Sequence, residues 1–135
     1  MADQVPPRVL VIEDDEAVAR MLRISLRSAG FDTVEVATGG EALRILKQQP
    51  PEATLLDLQL PNGQGGAVLD MLRRRSEGGE DVPAWIVISA LDRDEAIKRY
   101  GSLGNHFLAK PFDPWNLVAM LNNLLSTRNV PEQQA

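Results

Sequence analysis

The sequence predicts an α/β domain built on a doubly wound, five-stranded parallel sheet, and three observations predict it. Five short apolar segments alternate with five stretches of helical period along 135 residues, the pattern of strands joined by crossover helices. The first segment, Val9-Leu10-Val11-Ile12, is apolar without interruption, as suits a strand covered on both faces. The chain shows no repeat at a fixed period and no low-complexity stretch. Right-handed crossovers then place helices on both faces and gather the carboxyl ends of the strands along one edge, where sites of such sheets lie.

Each element has its own signal. After the first strand, Val18, Met21, Leu22, Ser25, Leu26 and Ala29 fall on one helical stripe, with Asp15 as N-cap and Gly30 as the closing glycine. Thr33 to Ala37 is a second, weaker strand. Thr38 followed three residues later by Glu41 reads as a capping box opening a helix with Ala42, Leu43, Ile45 and Leu46, which stops before Pro50-Pro51. Ala53 to Leu56 is the third strand and delivers Asp57 at its carboxyl end; Gly65 to Arg75 is the third helix, with Val68, Leu69 and Leu72 inward. The loop Glu77 to Asp81 leads to the fourth strand, Trp85 to Ile88, and Asp92-Arg93-Asp94-Glu95 opens the fourth helix. His106 to Ala109 is the fifth strand, and Leu117, Met120, Leu121, Leu124 and Leu125 form the stripe of a last helix from Pro114 to about Ser126. The expected organisation is an N-terminal tail (1–7), one domain (8–126) and a polar C-terminal tail (127–135).

Composition narrows the function. A hydrophobic content of 44% suffices for a core at this length without covalent staples, and with no cysteine there is no disulfide framework or thiolate metal site. A single histidine excludes a multi-histidine metal site. Apolar runs stay far short of a membrane span, and residues 1–8 lack the order of a secretory signal, so a cytoplasmic location without membrane association is expected. The net charge of −5 argues against direct nucleic-acid binding, which needs a basic stripe.

The polar residues at the strand ends carry the chemistry. Glu13 and Asp14 leave the first strand, Asp57 the third, Ser89 the fourth and Lys110 the fifth. Three carboxylates converging on one edge repel one another, and a hard divalent cation with oxygen ligands relieves them; Mg²⁺, or Mn²⁺, suits such a site. Beside it, Lys110 supplies charge and Ser89 a hydrogen bond for a tetrahedral oxyanion. The oxyanion implied is a phosphoryl group, and Asp57 is its natural attachment point, since a carboxylate nucleophile forms an acyl phosphate when charge is neutralised.

Four blocks carry a family resemblance: Val9 to Glu16, Leu55 to Gly65, Val87-Ile88-Ser89-Ala90 and Lys110-Pro111-Phe112. In order and spacing they resemble the signature blocks of bacterial two-component response-regulator receiver domains, from about Arg8 to Ser126. The resemblance implies a flavodoxin-like (βα)5 domain with strand order 2-1-3-4-5 that accepts a phosphoryl group on Asp57 from a histidine kinase or histidine phosphotransfer protein. It implies Glu13 and Asp14 as the acidic metal-binding pair, joined by Asp57 and the main-chain carbonyl of Gln59. Ser89 would be the switch hydroxyl, Lys110 the lysine paired with the phosphate, Phe107 the aromatic that moves with the switch, and Lys110-Pro111 a cis peptide. Such a domain assists its own phosphorylation and hydrolysis and is not an enzyme turning over an external substrate. The surface of the fourth helix, fifth strand and fifth helix would meet a downstream effector or a second copy of the chain.

Some positions depart from the common pattern: Gln64 stands where an acid often precedes the glycine, and Asn105-His106 where Ala-Asp or Asp-Asp is common. Gln59 and Leu91 flank the expected phosphoryl position, and apolar Leu91 is expected to shield it from water. His106 reads as a partly exposed polar position at a strand start beside the site rather than a phosphotransfer residue. Arg73-Arg74-Arg75 reads as a solvated helix end, and Tyr100 and Trp115 as packing residues or marks of an interaction face. Three other readings share parts of the pattern. A haloacid-dehalogenase-type enzyme would carry Asp-x-Asp where this chain has Asp57-Leu58-Gln59, and a flavodoxin-like cofactor binder would need a phosphate-cradling loop where Glu13 to Glu16 are all acidic. A phosphorylation-independent pseudo-receiver, acting only as a binding module, is opposed by the intact acids and Lys110.

Overall fold

The computed structural model describes residues 5–104 and 106–128. Residues 1–4, Asn105 and residues 129–135 lie outside them, and with them most of both expected tails. The elements are β1 (Arg8–Ile12), α1 (Glu16–Ser28), β2 (Asp32–Val36), α2 (Gly39–Gln48), β3 (Ala53–Asp57), α3 (Gln64–Glu77), β4 (Ala84–Ser89), α4 (Arg93–Tyr100), β5 (Phe107–Ala109) and α5 (Pro114–Arg128). They form one parallel sheet in the order β2-β1-β3-β4-β5. The fold class and strand order are those expected.

The alternation of side chains along the central strands divides the core in two. Leu10, Ile12 and Leu56 face α2, α3 and α4, meeting Leu46, Leu69, Leu72 and Ala96. Val9, Val11 and Leu55 face α1 and α5, meeting Leu22, Leu26, Leu117 and Leu121. Residues Val9 to Ile12 are at most 1% exposed, so the unbroken apolar run does mark a strand covered on both sides. Full burial of each such side chain contributes roughly 1.5–3 kcal/mol. The two-sided core therefore holds the central strands, and the residues at their ends, in fixed register.

The helix ends explain where strand ends become loops. Asp15 caps α1 by accepting from the Ala17 and Val18 N–H groups, and Gly30, at φ 96°, closes it in the left-handed region. Thr38 accepts the Glu41 N–H, but the Glu41 carboxylate returns to the Ala37 N–H and the Thr38 hydroxyl, one residue off the expected reciprocal bond. Asp92 caps α4 through the Glu95 N–H at 2.8 Å. Asn62 and Gly63 take φ of 60° and 72°, a tight turn that brings α3 back against β3 immediately after Asp57. Several boundaries differ from expectation by one or two residues: β2 spans Asp32–Val36 rather than Thr33 to Ala37, α3 Gln64–Glu77 rather than Gly65 to Arg75, β4 Ala84–Ser89 rather than Trp85 to Ile88, β5 begins at Phe107 rather than His106, and α5 runs to Arg128 rather than Ser126.

The arginine run is corrected in part. Arg74 is exposed on its ion pair with Asp70 and Arg75 pairs with Glu80, as a solvated helix end requires. Arg73 is instead partly buried, donating at 2.7 Å to both the Tyr100 and Ser102 carbonyls, so it ties the end of α4 to α3. Tyr100 packs on the α2–α4 side of the core, whereas Trp115 is 71% exposed.

Within β3, the Thr54 hydroxyl is fully buried and has no hydrogen-bond partner. Replacing it by the isosteric valine removes that unmet polar group, so Thr54→Val is expected to raise stability by about 1 kcal/mol. The urea midpoint, at unchanged slope, reads this; a lower midpoint would contradict it.

Candidate functional site

Four residues converge at the carboxyl edge of the sheet. Glu13 follows β1 and is held by its N–H donating to the Val36 carbonyl at 3.0 Å; Asp57 ends β3. Both are buried, at 4% and 3% exposure, while Asp14 beside them is exposed. One oxygen from each of Glu13, Asp14 and Asp57 lies within 4.8 Å of the others. Lys110 follows β5, its N–H donating to the Ser89 carbonyl at 2.8 Å, and its peptide bond to Pro111 is cis, as the resemblance implied. Its Nζ lies 3.0 Å from Glu13 Oε1 and 3.3 Å from Asp57 Oδ2.

The electrostatics are unbalanced. One ammonium faces three carboxylates, and two of the three are removed from water. Burial raises the Glu13 carboxyl from its ordinary 4.5 to about 7, with the hydrogen bond and charge of Asp57 adding to the rise, while Lys110 and the Asp15 N–H oppose it. Burial pushes Lys110 down, but Glu13 and Asp57 outweigh it and hold the ammonium above its ordinary range. Glu13 Oε1 is buried and, although at ion-pair distance from Lys110, has no aligned hydrogen-bond donor. A set of carboxylate oxygens with one oxygen unsatisfied and net negative charge fits a hard divalent cation.

A pH dependence follows from Glu13. A carboxyl whose folded pKa is raised binds more protons folded than unfolded, so without metal, stability falls as pH rises from about 4.5 to about 7. A cation on the same oxygens competes with that proton. In chelator, the melting temperature is expected to decline across this window, and added Mg²⁺ to stabilise more at pH 7.5 than at pH 5.5. Equal stabilisation at both pH values would count against a shared site.

The remaining expected residues take different places. Ser89 ends β4, is fully buried, and its Oγ accepts the Leu91 N–H at 3.0 Å. Asp57 Oδ1 accepts the Gln59 N–H at 2.9 Å. Leu91 and Phe107 are partly buried against the α2–α4 core cluster. His106 is not beside the site: it precedes β5, at the amino edge of the sheet, where it lines a shallow cavity with Trp85 and Gly104. In a parallel sheet, a residue at a strand start lies on the edge opposite Lys110, which corrects the expectation for His106.

The side-chain contacts of four residues were not expected from the sequence. Gln59 Oε1 accepts the Ala90 N–H at 2.8 Å, and Gln64 Oε1 accepts the Gly39 N–H at the head of α2 at 2.6 Å. Arg20 and Arg23 of α1 line a groove with Glu13, Asp14 and Glu35, and Arg23 pairs with Glu35 at 2.7 Å. For Gln64 the only signal was its departure from the common acid, and for Gln59 its place beside the expected phosphoryl group; for Arg20 and Arg23 local sequence carried none.

The family model for the response regulator receiver domain matches residues 9–122. The DNA-binding response regulator MtrA of Mycolicibacterium smegmatis is 36% identical over 117 residues, covering 87% of this chain and 50% of that protein. The DNA-binding dual master transcriptional regulator RpaA of Synechocystis is 32% identical over 127 residues, covering 93% and 52%. The chain thus spans about half the length of these curated relatives. Among solved structures, the receiver domain of the Francisella response regulator 1452 superposes with a TM-score of 0.78 at 28% identity, over 91% of this chain and 99% of that one. A response regulator structure from Chloroflexus aurantiacus gives 0.78 at 32%, over 90% and 99%. Proteins of this kind are generally not substrate-turnover enzymes. Among the described residues no helix is long and apolar enough to cross a membrane. The chain belongs to the response regulator receiver domain family and is a domain of two-component phosphorelay signalling.

Proposed function

We propose that Asp57 is the phosphoryl acceptor, receiving the group from a phosphohistidine on a histidine kinase or histidine phosphotransfer protein. The observation that carries this is the convergence of Glu13, Asp14 and Asp57 with Lys110, whose Nζ lies 3.3 Å from Asp57 Oδ2. In the transfer, the nitrogen–phosphorus bond breaks, an oxygen–phosphorus bond forms at the Asp57 carboxylate, and the imidazole leaves with the electron pair. Glu13, Asp14, Asp57 and the main-chain carbonyl of Gln59 would hold Mg²⁺ or Mn²⁺, which when bound supplies charge neutralisation to the incoming phosphoryl oxygens. Lys110 pairs with those oxygens and the Ser89 hydroxyl donates a hydrogen bond to one of them. Both residues sit where a shift of β4 and β5 ends reaches α4, so Phe107 and the α4–β5–α5 surface respond to the phosphoryl group. That surface meets an effector or a second copy of the chain. The balance of 14 basic to 19 acidic side chains supports a domain that makes no direct nucleic-acid contact.

The test is the intact mass of the chain after incubation with a small acyl phosphate, with and without Mg²⁺. The expected result is a gain of one phosphoryl group that requires the metal. Folded protein that gains nothing under either condition would overturn the reading and favour a phosphorylation-independent binding module.

A further inference from the structure

Gln59 holds two loops at once. Its N–H donates to Asp57 Oδ1 at 2.9 Å, and its side-chain Oε1 accepts the Ala90 N–H, 31 positions along the chain, at 2.8 Å. Ala90 follows Ser89, whose Oγ accepts the Leu91 N–H, and Asp92 next caps the first turn of α4. Hydrogen bonds and adjacent residues therefore run from the Asp57 carboxylate to the head of α4. Among the described residues, Gln59 to Ala90 is the side-chain hydrogen bond joining the β3–α3 and β4–α4 loops.

We infer that Gln59 is a positioning residue that relays the charge state of Asp57 to the head of α4, an inference that rests on Asp57 as the phosphoryl acceptor. A carboxylate oxygen is a charge-assisted acceptor, roughly twice as strong as a neutral one. Phosphorylation at Oδ2 leaves Oδ1 as the neutral carbonyl oxygen of an acyl phosphate and weakens its hold on the Gln59 N–H. The side chain rides on that main chain, so a shift of residue 59 pulls on or releases Ala90 directly. A carboxamide suits the position because it is a neutral acceptor: a glutamate would make the same bond while adding a fourth negative charge near Glu13, Asp14 and Asp57. An asparagine is one methylene short of the reach.

The test uses amide hydrogen exchange and amide chemical shifts of the full chain, read by NMR, in wild type, Gln59→Met and Gln59→Glu. Methionine keeps the length and removes the acceptor; glutamate restores it. In chelator, Ala90 is expected to exchange about tenfold faster in Gln59→Met than in wild type, the effect of one lost hydrogen bond. Glutamate should bring it back, with β1 and β3 amides unchanged in both variants. With Mg²⁺ and a small acyl phosphate, wild type is expected to show displaced α4 resonances. Gln59→Met, at the same phosphoryl mass gain, should show smaller ones. Equal Ala90 exchange in wild type and Gln59→Met, or full α4 displacement in phosphorylated Gln59→Met, would overturn the relay. A wild type that gains no phosphoryl mass overturns the functional reading, and the relay with it, even where Ala90 exchange reveals the tether.

Discussion

Asp57→Asn is expected to abolish the phosphoryl mass gain and, in the same protein, to stabilise the metal-free fold. The first effect is chemical. An amide does not form an acyl phosphate under these conditions, and its single oxygen keeps one of the two acceptor places, Oδ1 toward the Gln59 N–H or Oδ2 toward Lys110. The second effect comes from crowding of charge. Asp57 raises the Glu13 carboxyl both by hydrogen bond and by charge, after burial itself. Removing that charge lets the Glu13 pKa fall toward its ordinary 4.5, so the loss of stability between about pH 4.5 and about pH 7 becomes shallower. Intact mass with the acyl phosphate and Mg²⁺, and urea midpoints in chelator at pH 5 and pH 7, read the two effects separately. A variant that still gains a phosphoryl group would place the acceptor elsewhere, and unchanged pH dependence would remove Asp57 as a cause of the raised Glu13 pKa.

The parts of this molecule legible in the sequence are those that obey local periodicity. Val9 to Ile12 had to be a strand with both faces covered, and Leu22 and Leu26 had to face the sheet, because burial of an apolar stripe leaves few alternatives. Asp15, Thr38 and Asp92 announced helix starts because a cap acts within three residues of itself. Strand order was not legible this way: alternation of strand and helix is compatible with several orders, and the expected one came from the family resemblance. The site residues were legible because parallel strands deliver their ends to a common edge, so Glu13, Asp57 and Lys110 could be brought together without knowing a distance. The same rule, applied to the wrong end of β5, misplaced His106. Gln59, Gln64 and Arg73 were singled out by position, but their side-chain partners were not legible, because these hydrogen bonds span 25 to 31 positions and depend on how neighbouring loops lie. A long polar side chain has no periodicity to betray its partner.

Gly65 shows how a residue in a quoted motif acquires a physical reason only from the packing. It lies in the first turn of α3, with an ordinary negative φ, and helix propensity alone says that Gly65→Ala should gain up to about 1 kcal/mol. The surroundings reverse the sign. A Cβ there would stand 2.4 Å from the Leu58 carbonyl oxygen and 2.7 Å from the Asp57 carbonyl oxygen, and both are main-chain atoms of the segment that carries the acceptor. Neither can swing away as a side chain end would, so α3 must lift from β3 or residues 57–58 must move. Overpacking of this kind costs about 3 kcal/mol, which exceeds the propensity gain. Gly40 provides the control, since a Cβ on it meets nothing within 4 Å and its helix, α2, starts one residue earlier. Gly40→Ala is therefore expected to raise the urea midpoint slightly, by about 0.5 kcal/mol, and Gly65→Ala to lower it sharply. Because the displaced atoms belong to Asp57 and Leu58, the protein that remains folded at Gly65→Ala should also take up a phosphoryl group more slowly, whereas Gly40→Ala should match wild type. A Gly65→Ala variant as stable as wild type would mean that α3 has slack against β3, and the close approach would then lose its claim to position Asp57.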